Sequence, residues 1–246
     1  MQKLQKMIAR RRSVRSYLPD AVEAGLMAEI RAFMAELSPL IPGAEPVSRI
    51  IPTEQAKYWQ KWANPQFLVF YVPEGEREED GLINVGFMFQ QLDLFLQAKG
   101  LGTCWVGLGW PDAKLVPPPE GMKLAVMMAF GYSDGKEPLR QSPEDFKRRS
   151  PQEIADQEDP RLEVLRLAPS ATNSQPWFVV HAGDVMHIFR EELKLIKKRT
   201  HGRMNPIDMG IGLSHLYAAN PKSFRFFREE KPPVREGYLY VGSVTL

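Results

Sequence analysis

The chain has 246 residues and is 43% hydrophobic, enough for a sizeable core in one large or two small domains. Its 32 Lys and Arg nearly balance 30 Asp and Glu, so there is no bulk field of the kind that holds nucleic acid or an anionic membrane. The single cysteine, Cys104, has no internal disulfide partner, which fits a reducing compartment, and no apolar run is long enough to span a bilayer; a cytoplasmic protein is expected.

In chain order, Leu4, Met7 and Ile8 fall at helical spacing, and the segment ends in a cluster of Arg10, Arg11, Arg12 and Arg15 around Ser13. AVEAGLMAEIRAFMAEL (21–37) predicts an amphipathic helix, closed by Pro39, Pro42, Gly43 and Pro46. QFLVFYV (66–72) predicts a buried strand followed by an acidic loop, EGEREED. Val85 to Lys99 predicts an apolar helix with Gly100 just past its end. KLAVMMAFGY (123–132) predicts a second buried strand, and the charged, proline-punctuated stretch 137–160 reads as a linker. Beyond it come a short helix in RLEVLRLA, a strand pair turning at His181–Asp184, an apolar helix over 207–220 and a terminal strand in GYLYVGSVTL.

Three stretches carry chemistry. The arginine cluster offers planar forks of donors that match phosphate oxygens, with the Ser13 hydroxyl as a neutral donor. GLGTCWVGLGW (100–110) places four glycines where backbone can approach a flat ligand closely, beside Trp105. APSATNSQPW (168–177) sets short hydrogen-bonding side chains between two prolines, an order that a plain surface loop does not need. Cys104 has no neighbouring base, so a catalytic thiol is not expected. His181, His187, His201 and His215 lack metal spacing, and no metal site is expected.

Two internal echoes occur in the same order on either side of the linker. Arg11-Arg12-Ser13 is matched by Arg148-Arg149-Ser150, and NVGFMFQQLDLFLQAKG is loosely matched by DMGIGLSHLYAANPKS. Together they suggest a degenerate duplication.

In combination, Arg11-Arg12-Ser13-Val14-Arg15, AKGLGTCWVG and APSATNSQPW resemble the three main signatures of the FMN-dependent nitroreductase family. The family is dimeric, with flavin at the interface, and here the third signature stands after the second rather than soon after the first. The chain therefore resembles a single-chain, internally duplicated branch: an α+β fold of antiparallel-rich sheets flanked by helices, with halves at 1–142 and 143–246 fused into one compact pseudo-dimer. The first half is expected to have lost its own copy of the proline-bounded loop, and residues 40–65 and 185–206 match nothing in the family pattern. A monomer follows, because the family's dimer interface is already within one chain.

The resemblance implies bound FMN, with NAD(P)H as a transient reductant. FMN contacts would come from Arg11, Arg12, Ser13 and Arg15, from Cys104, Trp105, Val106 and Gly107, and from Pro169, Ser170, Asn173 and Gln175. Arg140 would close on the phosphate, with Lys136 as its competitor. Arg15 would be the cation that stabilises reduced flavin; the flavin N5 does the chemistry, and no protein nucleophile or metal is implied. Ala171 and Thr172 would meet the substrate, a small electron-poor acceptor such as a nitroaromatic or a quinone. The alternative is a flavin-binding protein with little turnover; a nucleic-acid module using Arg10–Arg15 is disfavoured by the near-zero net charge.

Overall fold

The run QFLVFYVP forms β3 (Gln66–Pro73), and its side chains are buried on both faces. Leu68, Phe70 and Val72 join one hydrophobic cluster, while Phe67, Val69 and Tyr71 join a second. A strand covered on both sides has no polar alternation to show, which is why the run is continuous. The computed structural model describes residues 2–60, 62–63, 65–193 and 202–246; His201 and part of the unmatched stretch 185–206 lie outside these.

Two four-stranded antiparallel sheets form the frame. The first has the order β1-β3-β6-β4, from β1 (Val47–Ile51), β3, β6 (Met122–Tyr132) and β4 (Leu101–Val106). The second has the order β7-β8-β10-β9, from β7 (Trp177–Ala182), β8 (Val185–Glu191), β10 (Tyr238–Thr245) and β9 (Arg225–Phe227). A small ribbon pairs β2 (Ala56–Tyr58) with β5 (Gly109–Pro111). Three helices complete the larger elements: α1 (Gln2–Ile8), α2 (Ala24–Glu36) and α3 (Glu78–Ala98). Two short ones follow, α4 (Pro151–Ile154) and α5 (Glu163–Arg166), then the long α6 (Met204–Ala219).

The two sheets share one connectivity. In each, two strands precede a long helix and two follow it, and the fourth strand in sequence lies between the second and the third. Each central pairing also carries one bulge on its last strand, at Ala125 between the partners of Phe70 and Tyr71, and at Val241 between those of Ile188 and Phe189.

The helices α3 and α6 cross at the centre of the core. A Cβ on Gly86 would stand 2.0 Å from the Ile207 carbonyl oxygen, and one on Gly210 would stand 1.9 Å from that of Ile83. Backbone therefore lies on backbone, reciprocally, and only glycine allows it. The crossing also orders what precedes it. Near the start of α3, Asn84 Oδ1 accepts from the backbone N–H of Leu40 and Ile41, both at 2.9 Å. Near the start of α6, Asp208 Oδ1 accepts from the N–H of Ala171 at 2.9 Å. Each held loop runs between two prolines, 39 and 46 or 169 and 176, directly before the first strand of its sheet. Residues 39–46 are thus held in the same manner as residues 169–176, though the two loops differ in sequence apart from the prolines.

Other expectations shift in detail. The acidic EGEREED is not all loop, because Glu78, Glu79 and Asp80 form the first turn of α3, where carboxylates suit the helix dipole. Helix α6 starts three residues early, since Pro206 sits in the first turn, where no intrahelical N–H is needed. The stretch after α3 is strand β4 rather than a loop. The segment 137–160 is packed rather than a free linker, with Phe146, Ile154 and Ala155 buried. Among the described residues, no helix is long and apolar enough to cross a membrane.

Gly86→Ala and Gly210→Ala should each destabilise the protein by about 3 kcal/mol or more, the upper end for overpacking, because the obstructing atoms are backbone. Urea unfolding midpoints measure this; Gly25→Ala, with open space around its Cβ, is the control.

Candidate functional site

The chain after α1 runs along β4: Ser13 bridges Thr103 in parallel, and the Val14 N–H donates to the Thr103 carbonyl at 2.8 Å. This fit explains one glycine of the GLG stretch, since a Cβ on Gly102 would meet Val14 at 2.6 Å. Gly100, at φ +85°, ends α3, and Gly109 makes room for Met127. Of the four glycines, Gly107 alone borders open space at the site.

Arg11 is buried and its Nε donates to Asp93 Oδ2 at 2.9 Å. Asp93 belongs to a closed polar network within the core. Its Oδ2 also accepts from Gln90 Nε2 at 2.8 Å, and its Oδ1 accepts from Gln97 Nε2 at 3.1 Å and from the Thr103 hydroxyl. Gln97 Oε1 receives the Arg12 N–H at 2.9 Å, and Gln90 Oε1 receives the Trp105 indole N–H at 3.2 Å. His215 closes the network, with its ring between Gln90 Nε2 at 3.2 Å and the Val164 carbonyl at 2.9 Å. Burial pushes its imidazole down to about 3, so it is neutral and Nδ1 carries the proton to Val164. One buried carboxylate thus fixes both the arginine segment and Trp105.

Two cavities adjoin along this segment. One, of about 420 Å³, is bordered by Ser13, Arg15, Cys104, Trp105 and Gly107 on one side and by Pro169, Ser170, Ala171 and Thr172 on the other. Met204, Ile207, Asp208 and Ile211 of α6 form its floor. The second, of about 480 Å³, shares Ser13, Arg15, Pro169, Ser170 and Thr172 with the first. Its lining contains six cationic side chains, Arg11, Arg12, Arg15, Arg140, Lys147 and Arg148, against one carboxylate, Asp145. The segments near 11–15 and 168–177 do meet in space.

Arg140 is anchored by its Nη1 on the Arg11 carbonyl and lies over the Phe146 ring, 4.1 Å from its centroid. Its competitor, Lys136, is held by Asp134 at 2.6 Å and does not border the basin. Burial, then Arg11 and Arg12, pushes the Arg140 guanidinium down to about 10. Burial, Arg11 and Arg140 do the same to Arg148. Among the described residues, the Arg148 Nε finds no hydrogen-bond partner. Crowded, partly desolvated cations with an open donor form a cradle suited to a dianion such as a phosphate monoester. In the first cavity, Gln60 Oε1 is a buried acceptor with no partner among the described residues. A flat ring system with a phosphate-ended tail fits this pair of cavities, as FMN requires.

The proline-bounded loop spends its polar groups mainly on its own shape. The Gln175 N–H donates to Ser170 Oγ at 2.9 Å, and Gln175 Oε1 accepts from the Arg149 N–H at 2.8 Å. Asn173 Nδ2 donates to the Lys147 carbonyl at 2.7 Å, and its Oδ1 accepts from Arg148. These bonds hold Thr172, Asn173 and Gln175 at φ of 53°, 58° and 49°, a region costly for residues other than glycine. Gln175 and Val106 do not border either cavity: Gln175 is buried beneath the loop, and Val106 packs in the second hydrophobic cluster. Cys104 borders the first cavity, but burial pushes its thiol up to about 11, and it stays protonated.

Sequence reasoning missed Lys147, Arg148 and the α6 floor. Arg148 was visible in the echo of Arg11-Arg12-Ser13, where a proline in place of a valine hid its role. Asp208 left no signal, since one aspartate in an apolar helix has no pattern. Its carboxyl is buried, with the Ala171 N–H and, at 3.5 Å, the Ser174 hydroxyl as partners; burial pushes it up to about 8.

Comparison with known proteins bears on the family and the fold. A family model described as "Putative TM nitroreductase" matches residues 3–220. A "putative nitroreductase" from Thermotoga maritima superposes with TM-score 0.64 at 21% identity, covering 98% of this chain and 91% of that one. A nitroreductase with bound FMN from Desulfitobacterium hafniense aligns with TM-score 0.47 at 14% identity, over 61% of this chain and 99% of that one. A comparison with curated proteins finds no match.

Two outcomes test the site's construction. Asp93→Ala leaves Arg11 buried and unpaired, and should cost about 3–5 kcal/mol in denaturant unfolding. Asp208 keeps its proton in the folded state up to about pH 8 but loses it near pH 4 when unfolded, so its contribution is full at low pH and is lost as pH rises. Wild-type stability relative to Asp208→Asn should therefore fall by about 1.4 kcal/mol per pH unit between about pH 4 and 8. From the family match and the shared fold, the chain belongs to the TM nitroreductase family.

Proposed function

We propose that this chain is an FMN-dependent NAD(P)H oxidoreductase that reduces an electron-poor acceptor, a nitroaromatic or a quinone, in two alternating half-reactions. The observation that carries this reading is the junction of the two cavities: an apolar-floored slot opens into a basin of six cations, where the arginine segment faces the proline-bounded loop. When bound, FMN supplies reversible hydride carriage between NAD(P)H and the acceptor.

The protein's part is to bind and orient. Arg12, Arg140, Lys147 and Arg148 surround the place for the phosphate, and Arg11 lines it from behind with its charge neutralised by Asp93. Arg15 and Ser13 border both cavities and stand where tail and ring join. A cation there favours an anionic reduced ring over a neutral oxidised one. Trp105 is fixed by its bond to Gln90, and Ala171 and Thr172 edge the slot where an acceptor enters.

The site joins elements from 1–142 and 143–246, and the common strand order with its reciprocal helix crossing supports reading these as two fused, diverged halves of a monomer.

FMN titration followed by flavin fluorescence tests the reading. Wild-type protein should bind FMN and then oxidise NADH or NADPH when menadione or a nitroaromatic is added. Arg148→Met should weaken FMN by about 10- to 100-fold, the loss of one charged hydrogen bond, while leaving riboflavin affinity nearly unchanged. No FMN binding, or an equal loss for both flavins, defeats it.

A further inference from the structure

Among the described residues, Asp208 is the one carboxylate bordering the ring-sized cavity, and none of them places a cation close to it. The loop packed against it presents the Ala171 N–H and the Ser174 hydroxyl, neither of which titrates near neutrality. Across the cavity, β4 presents the Cys104 thiol, and the segment after α1 presents Arg15. Within α6, the preceding Arg203 is turned outward to Glu78 and the Leu124 carbonyl. Within α3, Asn84 does the corresponding work of holding a proline-bounded loop, and does it as an amide with four bonds. Loop holding alone therefore does not require an acid at 208.

We infer that Asp208 is the proton donor to the acceptor in the oxidative half-reaction, an assignment that rests on the reading above. With a quinone as acceptor, the balance is simple. The quinone gains a hydride, two electrons and one proton, from the reduced cofactor, and a second proton from the Asp208 carboxyl. The Asp208 O–H bond breaks, an O–H bond forms on the hydroquinone, and the carboxylate left behind takes a proton from water entering through the cavity. The carboxyl holds this proton at neutral pH because burial, uncompensated by any cation among the described residues, disfavours its charge. Delivering it within the slot spares the acceptor an anionic product beside a buried wall.

The test uses the FMN-loaded protein, reduced anaerobically and mixed with menadione in a stopped-flow instrument from pH 6 to 9.5. Wild-type reoxidation should slow as pH rises through about 8; Asp208→Asn should be about 100-fold slower or more, with no break near pH 8. Infrared difference spectra of the flavin-free protein between pH 6 and 9.5 should show a protonated carboxyl band that titrates in wild type and is missing in Asp208→Asn. Ser174→Ala, which removes a loop contact and keeps the acid, should reoxidise within about threefold of wild type. An Asp208→Asn rate within threefold of wild type, no titrating band, or an equal loss in Ser174→Ala overturns the assignment. If wild type takes up no FMN, or bound FMN is not reduced by NAD(P)H, the functional reading falls and this inference falls with it.

Discussion

The close crossing of α3 and α6 is the constraint on which the rest of the molecule depends. At Gly86 and Gly210 the two backbones touch with no side chain between them, and the contact is reciprocal, each glycine lying on the carbonyl of an isoleucine three residues before the other. Such an approach fixes the depth, angle and register of the helices at once, because neither can slide without driving a Cβ into peptide oxygen. The second turns of both helices are thereby placed, and with them Asn84 and Asp208, the residues that hold the two proline-bounded loops. The slot bordered by Ile207, Asp208 and Ile211 exists because α6 can come no nearer and no farther.

A second constraint is electrostatic. The arginine segment could not sit against β4 with its charge unpaired, and Asp93 answers it from the inner face of α3. Because Asp93 also binds Gln90, Gln97 and Thr103, neutralising Arg11 also positions Trp105 and the backbone at Arg12. Among the described residues, the remaining cations of the basin have no such ion-pair partner. Arg140 and Arg148 are bound through carbonyls, an amide and the face of Phe146, contacts that orient a guanidinium without cancelling its charge. The basin's positive potential is thus built into the fold before any anion arrives.

Most of the frame is legible in the sequence because its elements are long and buried. β3, β6, α3 and α6 show as apolar runs with glycine or proline at their margins, and both signature loops of the site were found where they meet. What escaped was of two kinds. Short edge elements such as β1, β2, β5 and β9 have too few residues for periodicity to register, and their pairing is decided by tertiary contact. The roles of single polar residues also escaped. The hydrogen-bonding side chains of 170–175 read as ligand contacts, yet Gln175 and much of Asn173 are spent on holding a backbone with three left-handed residues. A sequence shows that a loop is rich in donors and acceptors, but not which of them the loop itself consumes.

If the chain is two diverged halves, the reciprocal crossing ought to have left a second slot, and a groove does lie at the corresponding place. It is bordered by Pro39, Leu40, Phe87, Tyr217, Phe224 and Phe226, aromatic where the first slot is open. Phe226 packs on Gly242, where a Cβ would approach it to 2.4 Å, so the sheet has closed around that ring. The charge differs as well: among the described residues, the groove's lining holds one cation, Arg225, and one carboxylate, Glu36, against six and one in the basin. A groove of about 340 Å³ with aromatic walls and no cationic basin offers no grip on a phosphate. The helix crossing is reciprocal because close packing of two backbones requires it, while the surroundings of the two cavities differ: the first adjoins Asp93's network, a cationic basin and a loop with left-handed residues.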